Sequence, residues 1–348
     1  YFEEGMNGTA VFSLFVRRLP PRRNYLVACG LDDVLSLLET LHFDAAALSY
    51  LESLNRFSPR FLTYLETLRF TGDVYALPEG TPVFASEPIL EIEAPIAEAQ
   101  LVETLVMNQI HLQTLLASKA ARVVEAAQGR QIVDFGVRRM HGADAGVKSA
   151  RAFHIAGIDA TSNLAAGQTY RIPVAGTMAH SYVQSHDDEA EAFRSFATLY
   201  PGTVLLIDTY DTVAAAGIVV ELGRPVYGVR LDSGDLDALS RVVRATLDRG
   251  GLTEARIMVT GDLDEDRIAA LASAGAPIDL FGIGTELSTS RDMPALGGVY
   301  KLVEIERNGY AEPKMKLSRE KATYPYRKQV WRQSAQGCFT NDVIALAN

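Results

Sequence analysis

The strongest constraint on the fold is an alternation of short apolar segments with helical patterns that begins near residue 130. The apolar, β-rich pieces are Ile132–Val137, Ile155–Ile158, Ile172–Ala175, Val204–Ile207, Val226–Val229, Ile257–Val259, Ile278–Phe281 and Val299–Val303. Helical patterns lie between most of them, namely Asp187–Leu199, Thr212–Leu222, Asp235–Asp248 and Asp264–Ala274. Strands joined by helices pair in parallel, and about seven or eight units favour closure into an α/β barrel. A doubly wound open sheet is the alternative.

The region before residue 130 has a different pattern. It predicts a strand over Val11–Val16, helices over Asp32–Leu41 and Pro59–Leu68, a small antiparallel β unit over Asp73–Pro95 and a long helix from Ile96 to about Ala127. We therefore expect an N-terminal α+β domain over residues 1–130, an α/β barrel catalytic domain over 131–320 and a C-terminal segment over 321–348.

Composition excludes several classes of protein. The 348 residues are 48% hydrophobic and 22% charged, as in an ordinary globular chain, and 33 Lys+Arg against 43 Asp+Glu give a net charge of −10. That balance argues against nucleic-acid binding. Two distant cysteines, Cys29 and Cys338, build neither a disulfide framework nor a zinc site, so a reducing cytoplasm is expected. Since no apolar run approaches 18 residues, no membrane span is predicted.

Polar clusters follow the predicted barrel strands at their carboxyl ends. They are Asp134–Arg139, Asp159–Asn163, Gly176–Ser181, Asp208–Asp211, Arg230–Asp235, Thr260–Asp262 and Gly282–Thr285. A parallel barrel brings these ends together on one face, where active sites lie. The clusters therefore favour an enzyme over a structural protein.

Phosphate chemistry is suggested by two turns and one arginine. The glycine turns at Gly261-Asp262 and Gly282–Thr285 can offer backbone N–H groups to a phosphate, although plain loop connections have the same pattern. Arg230 and Asp232 share one face of a strand end, so the pair can hold a phosphate and either a ribose hydroxyl or a water on Mg²⁺. The alternative is a mutual salt bridge.

Three further side chains carry candidate chemistry. Asp208 is the candidate carboxylate of its cluster, because Asp211 can cap the helix that begins at Thr212. His180 follows a strand among small residues, which suits a nucleophile or an ordinary loop histidine. His186, six residues later, matches no metal-binding spacing, so metal ligation is not expected.

An aromatic ring and a cation suggest the shape of the substrate. Phe135, Arg138 and Arg139 suit a flat anionic ring that stacks on the phenyl group and pairs its carboxylate with an arginine, although core packing also explains Phe135. Lys316, after the last predicted strand, is placed to reach the same crater.

These motifs, in this order, resemble the nicotinate phosphoribosyltransferase family. The segments that carry the resemblance are Asp134–Arg139, Thr161–Asn163, Gly176–Ser181, Leu206–Asp211, Gly228–Asp235 and Lys316–Ser318. The resemblance implies a type II phosphoribosyltransferase fold, an irregular α/β barrel with an N-terminal α+β domain. It also implies that nicotinate and phosphoribosyl pyrophosphate (PRPP) react to nicotinate mononucleotide and pyrophosphate, in NAD salvage.

The resemblance further implies Mg²⁺, and ATP as a co-substrate whose hydrolysis proceeds through a phosphohistidine at His180. Phe135, Arg138, Ser162 and Asn163 fall at the pyridine pocket. The expected catalytic residues are His180, Asp208, Arg230 and Asp232, and the expected substrate-binding residues are Phe135, Arg138, Ser162, Asn163, Thr177, Gly261, Asp262, Gly282, Gly284, Thr285 and Lys316.

The family also implies a homodimer with shared active sites. Its members carry an upstream segment whose tyrosine reaches the pyridine pocket, and they continue beyond residue 348, so we expect this chain to lack both parts.

Other functions remain open at this point. Nicotinamide and quinolinate phosphoribosyltransferases are the nearest alternatives, and a non-catalytic nucleotide-binding relative is another. A phosphate-binding barrel lyase or aldolase would need a lysine at a mid-barrel strand end for a Schiff base. The strands from Ile132 to Phe281 offer none.

Overall fold

The computed structural model describes residues 1–318 and 321–347. These residues form two compact units, one containing Tyr1–Leu115 and the described residues from Ala295 onward, the other containing Leu116–Pro294. The division at residues 130 and 320 expected from the sequence stays a prediction.

The first unit begins with a mixture of strands and helices. Its elements up to residue 115 are β1 (Thr9–Val16), β2 (Leu26–Val27), α1 (Leu31–Glu39), α2 (Ala45–Ser53), α3 (Pro59–Thr67), β3 (Asp73–Ala76), β4 (Pro82–Val83), β5 (Pro88–Pro95), α4 (Ile96–Leu101) and the beginning of α5 (Glu103–Ala127). The helix expected over Ile96–Ala127 is thus interrupted at Val102, which caps α4 at its C-terminus.

The second unit is an α/β unit built on a parallel sheet. After the end of α5, its elements are β6 (Gln131–Asp134), the 3₁₀ turn Val137–Arg139, α6 (Ala143–Ile155), β7 (Ala160–Thr161), α7 (Leu164–Tyr170), α8 (His180–Gln184), α9 (Glu189–Leu199), β8 (Val204–Leu206), α10 (Thr212–Glu221), β9 (Gly228–Leu231), α11 (Leu236–Arg249), β10 (Arg256–Val259), α12 (Glu265–Ser273), β11 (Leu280–Ile283) and α13 (Thr285–Thr289).

The six strands of this unit are ordered β7-β6-β11-β10-β9-β8, and every neighbouring pair is parallel. A parallel bridge from Thr161 to Val174 extends the sheet beyond β7. Within residues 1–318 and 321–347, no pairing joins Val174 to β8. The sheet is therefore an incomplete barrel, in agreement with the irregular α/β barrel expected from the sequence.

Local sequence explains why these strands and helices form. The strands read as continuous apolar runs because helices cover the parallel sheet, and β8 and β11 are buried at every position. Side-chain oxygens cap the following helices at Asn163, Asp188, Asp211, Asp235 and Asp264. The cap predicted at Asp211 is confirmed, since its carboxylate accepts a 2.8 Å hydrogen bond from the Ala214 N–H.

Two of the strand predictions for the barrel are wrong. Ile155 is the last residue of α6, and the strand that follows is the short β7. Val299–Val303 lies in a strand, β12 (Gly298–Arg307), but β12 pairs antiparallel with β1 in the first unit. Short apolar runs do not distinguish a helix end from a strand, and they do not specify a distant strand partner.

The rest of the first unit consists of β12, β13 (Tyr310–Pro313), β14 (Lys328–Ala335) and β15 (Cys338–Leu346). Its five-stranded antiparallel sheet is ordered β13-β12-β1-β5-β3, and β14 and β15 form a separate hairpin. Apolar side chains of β1 and β5 pack with α1 and α4 in one core, where the Phe12 and Tyr300 rings stack at 4.9 Å. In the described part of the chain, no helix is long and apolar enough to cross a membrane.

Candidate active site

A cleft of about 560 Å³ opens at the carboxyl end of the parallel sheet. Its lining residues all belong to the second unit and are Phe135, Val137, Arg138, Arg139, Ser162, Gly176, Thr177, Met178, Ala179, His180, Arg230, Asp232, Thr260, Gly261, Asp262, Gly282, Gly284 and Thr285. This volume lies within the range of small-molecule sites. Six of the seven polar clusters found in the sequence thus contribute to one cleft, and the cluster at Asp208 lies behind it.

The Arg230 guanidinium connects three parts of the cleft. Its Nε donates to Thr260 Oγ1 at 3.0 Å, its Nη1 donates to Thr177 Oγ1 at 2.5 Å, and its Nη2 donates to Asp232 Oδ1 at 3.0 Å. The salt bridge that the sequence left open as an alternative is therefore formed. Since the side chain is only 17% exposed, Arg230 fixes the relative positions of β9, β10 and the Gly176–Ala179 loop.

Asp232 is a partly buried carboxylate that stays ionised. Burial alone would raise its pKa, but the hydrogen bond from the Thr260 hydroxyl and the charge and hydrogen bond of Arg230 together hold the pKa below its ordinary value. Its Oδ2 lies 3.7 Å from His180 Nε2. The cleft thus presents a fixed negative charge beside an imidazole.

Asp208 supports this arrangement from behind. Its Oδ2 accepts hydrogen bonds from the Asp232 N–H at 2.8 Å and from the Ser233 hydroxyl at 2.9 Å. Asp208 is not among the residues that line the cleft. In this structure it holds the loop after β9 in place.

His180 begins the short helix α8 and is 40% exposed to the cleft. Its Nδ1 lies 3.2 Å from Thr209 Oγ1, while Nε2 faces Asp232. The ring is therefore oriented at both nitrogens and remains accessible, which is what a residue that accepts and releases a group requires.

Phe135 and three polar residues form one wall of the cleft. A Cβ at Gly282 would lie 2.6 Å from a carbon of the Phe135 ring, so the missing side chain at Gly282 makes room for the phenyl group. Arg138 and Arg139 are exposed in the 3₁₀ turn, and Ser162 is half-buried. This wall combines an aromatic face with two cations and a hydroxyl.

Two glycine turns also contribute to the lining. Gly261 has φ +92° and Asp262 has φ +44°, and a Cβ at Gly261 would collide with the Asp232 carbonyl oxygen. Gly284 caps α13, whose first residue is Thr285. Both turns place backbone at the cleft immediately before a helix, although α13 is short.

Two of the predicted substrate-binding residues are not among the residues that line the cleft. Asn163 is buried, caps α7 through the Ala166 N–H at 3.2 Å, and donates to the Gly146 carbonyl at 3.1 Å. Lys316 belongs to the first unit, where its N–H donates to Thr323 Oγ1 at 3.3 Å.

Two residues that shape the site were missed as site residues. Thr260 bonds both Arg230 and Asp232, and its place directly after β10 was the available signal. Asp134 is buried, accepts from the Gly136 N–H at 2.7 Å and from the Thr161 hydroxyl at 2.8 Å, and so joins the ends of β6 and β7. Burial raises its pKa, and the two hydrogen bonds partly oppose that rise.

Comparison with known proteins identifies the family. Residues 1–111 match the nicotinate phosphoribosyltransferase N-terminal domain, and residues 130–319 match the nicotinate phosphoribosyltransferase family. The chain belongs to the nicotinate phosphoribosyltransferase family. The resemblance seen in the sequence motifs is thereby confirmed.

Individual relatives cover nearly the whole chain. Nicotinate phosphoribosyltransferase pncB2 of Mycobacterium tuberculosis is 53% identical over 99% of this chain and 75% of its own length, and the Bacillus subtilis enzyme is 44% identical over 95% and 70%. The crystal structure of human nicotinic acid phosphoribosyltransferase matches with a TM-score of 0.84 at 29% identity, covering 100% of this chain and 79% of that one. Nicotinate-nucleotide pyrophosphorylase from Pyrococcus furiosus matches with a TM-score of 0.78 at 25% identity, covering 99% and 79%.

Proposed function

We propose that this protein transfers the phosphoribosyl group of PRPP to nicotinate, forming nicotinate mononucleotide and pyrophosphate in NAD salvage. The observation that supports this most directly is the ordered network of Arg230, Asp232 and His180 in one cleft with Phe135 and Arg138, in a member of the nicotinate phosphoribosyltransferase family.

Nicotinate would occupy the wall formed by Phe135, Arg138 and Ser162. The pyridine ring stacks on the phenyl group and its carboxylate pairs with the Arg138 guanidinium, since a planar carboxylate suits bidentate binding by arginine. This orientation directs the pyridine nitrogen towards the turns that hold PRPP. An amide substrate lacks the charge that Arg138 binds.

PRPP would lie on the turns at Gly261-Asp262 and Gly282–Thr285, with Thr177 and Arg230 beside it. The pyridine nitrogen uses its lone pair to form a bond to C1′, the bond from C1′ to the pyrophosphate oxygen breaks, and the electron pair leaves with pyrophosphate. Positive charge develops on the ribose during this step, and the ionised Asp232 stabilises it. Asp208 keeps Asp232 in position.

The carboxylates of the cleft fit Mg²⁺ that arrives with the substrate. Mg²⁺ is usually held by one or two carboxylates and by substrate phosphates, and Asp232 and Asp262 are the carboxylates that line the cleft. These two side chains would hold the ion, and the ion would supply positive charge to balance the pyrophosphate leaving group.

We further propose that ATP hydrolysis is coupled to this reaction through His180. A ring nitrogen attacks the terminal phosphorus of ATP, the bond to ADP breaks, and water later cleaves the phosphohistidine to release phosphate. The 40% exposure of the imidazole and its place between Thr209 and Asp232 support this role.

The working enzyme is proposed to be a cytoplasmic homodimer with shared active sites. Phe135 is the single phenyl side chain among the residues that line the described cleft, so it covers one face of a pyridine ring. A group from the second copy would cover the other face. Two inactive variants test this when they are mixed, one with Phe135 replaced and the other with the group replaced that reaches the neighbouring copy's cleft. Recovery of activity in the mixture would support shared active sites.

A product assay tests the proposed function. The protein is incubated with Mg²⁺, PRPP and nicotinate, with and without ATP, and nicotinate mononucleotide and ADP are measured by mass spectrometry. We expect mononucleotide formation that ATP increases, and His180→Ala should abolish that increase. Turnover with nicotinamide or quinolinate but not nicotinate would overturn the substrate assignment, and no product from any of the three would overturn the activity.

A further inference from the structure

A buried ionic cluster lies in the second unit outside the cleft. Lys119 of α5 is 1% exposed, and its Nζ lies 2.5 Å from Glu265 Oε2 and 2.9 Å from Asp292 Oδ1. Arg122, one turn along α5, donates from Nε to Glu265 Oε1 at 3.0 Å. A buried ammonium is costly unless it is paired, and here two carboxylates pair it.

The two carboxylates come from the elements that follow the two glycine turns of the cleft. Glu265 is the first residue of α12, three positions after Asp262. Asp292 lies just beyond α13, which begins at Thr285 directly after the Gly282–Gly284 turn. One ammonium group therefore fixes both segments to the same point on α5.

Glu265 stays ionised although it is buried. Burial would raise the pKa of Glu265, but the Lys119 and Arg122 hydrogen bonds hold it below its ordinary value. Replacing a buried ion pair by apolar side chains often leaves stability unchanged or increases it, so such a pair is weak evidence of a purely stabilising role. Its directional bonds do fix the relative position of the elements that they join.

We propose that Lys119 is a positioning residue for PRPP, because it holds the turns at Gly261-Asp262 and Gly284-Thr285 at the spacing that the phosphoribosyl and pyrophosphate groups need. This inference rests on the proposed function of the cleft. Lys119 does not line the cleft and touches no reacting atom. Its effect should therefore appear in PRPP binding rather than in the chemistry of nicotinate.

The test is Lys119→Met, which keeps an unbranched side chain and removes the charge. We expect the KM for PRPP to rise about tenfold, because a small displacement of binding groups costs affinity, while kcat and the KM for nicotinate change less than about threefold. Titration calorimetry with PRPP and Mg²⁺ alone measures the same loss without turnover. Wild-type protein that turns over, together with a Lys119→Met variant of unchanged PRPP affinity, would overturn the inference.

Two further variants separate positioning from general destabilisation. Lys328→Met removes another buried lysine, whose Nζ lies 2.8 Å from Glu91 Oε1 in the first unit, and it should lower Tm without moving the KM for PRPP. Asp292→Asn keeps the Lys119–Glu265 pair and serves if Lys119→Met does not fold, with a smaller rise in the PRPP dissociation constant expected. An equal rise in KM in Lys328→Met, or no rise in Asp292→Asn, would overturn the role of Lys119. Absence of turnover in the wild-type protein would instead overturn the proposed function.

Discussion

The cleft and the carboxy-terminal hairpin each contain an arginine paired with an aspartate, but the two guanidinium groups make different sets of bonds. Arg230 distributes its donors over Thr177, Thr260 and Asp232, and its Nη1 also donates to the Met178 carbonyl at 3.5 Å, so that it contacts three separate segments. Arg332 instead binds Asp342 with both Nε and Nη2, at 2.7 to 3.1 Å. Arg230 joins the ends of β9 and β10 to the Gly176–Ala179 loop, and Arg332 joins the two strands of the hairpin.

The surroundings of the two pairs reinforce this difference. Arg332 lies against the rings of Phe84 and Phe339, at 5.3 and 4.7 Å, and donates to the Pro82 carbonyl at 2.6 Å. Asp232, by contrast, is 33% exposed and faces His180 across 3.7 Å. Similar residue types thus form an ordered set of charges that faces the cleft in one region, and in the other region they hold two strands together.

The largest expected effects come from removing each of the two arginine side chains in turn. Arg230→Ala should lower kcat/KM for nicotinate mononucleotide formation about 100-fold or more, because it disorders Asp232 and Thr177 where charge develops. Arg332→Ala should instead lower the free energy of unfolding by about 3 kcal/mol, because Asp342 loses its cation. Initial-rate kinetics and urea denaturation on both variants measure this. If folded Arg332→Ala lost as much kcat/KM as Arg230→Ala, the proposed difference between the two arginines would be wrong.

Backbone conformation in the cleft provides a second, smaller test. Gly261→Ala should raise the dissociation constant for PRPP about 30-fold, because its φ of +92° and the nearby Asp232 carbonyl oxygen leave no space for a Cβ, at a cost of about 2 kcal/mol. Gly275→Ala is the matched control, since Gly275 has φ +63° with nothing within 4 Å of the added carbon. Equal PRPP affinity in the two variants would contradict a role for the close approach at Gly261.

The hairpin region should also respond to pH. Burial and a hydrogen bond to Asp342 raise the pKa of Glu87 from 4.5 to about 7, so Glu87 is protonated in the folded protein over a range where the unfolded chain ionises. The resulting stability is complete below about pH 4.5 and is lost as pH rises to about 7. The wild-type protein should lose roughly 2 kcal/mol between pH 5 and pH 8 relative to Glu87→Gln. Urea denaturation measures the free energy of unfolding of both proteins across this range. A difference between them that stays constant with pH would refute the pKa shift.

The strands of the second unit were largely predictable, because parallel strands covered by helices are continuous apolar runs of β-branched residues. Val204–Ile207 and Ile257–Val259 coincide closely with β8 and β10 for this reason. The two-residue strand β7 was not, since it has too few residues for any periodicity. The pairing of β12 with β1 was missed because nearly 300 residues separate them, and no local pattern encodes such a partner.

The site shows the same limit. The positions of Arg230 and His180 after predicted strands indicated that both would lie at one face, because the carboxyl ends of parallel strands meet there, and both do line the cleft. Asn163 is of a residue type that often binds ligands, but its side-chain oxygen caps α7. Residue type could not show that Thr260 joins Arg230 to Asp232, because that depends on the register of β9 against β10.

The smallest expected effect isolates this last contact. Thr260→Val keeps the shape of the side chain and removes the hydroxyl that donates to Asp232 and accepts from Arg230 Nε. One such hydrogen-bonding group contributes about 1 kcal/mol, so kcat/KM should fall about fivefold while Tm changes little. The pKa of Asp232 should rise, since that hydroxyl helps to hold it low, and the acidic limb of the pH-rate profile should move to higher pH. Thr289→Val is the control, because its hydroxyl donates only within α13, to the Thr285 carbonyl at 2.8 Å. An unchanged acidic limb in Thr260→Val would mean that Arg230 alone keeps Asp232 ionised, and the cleft pair would then resemble the hairpin pair more closely than its geometry indicates.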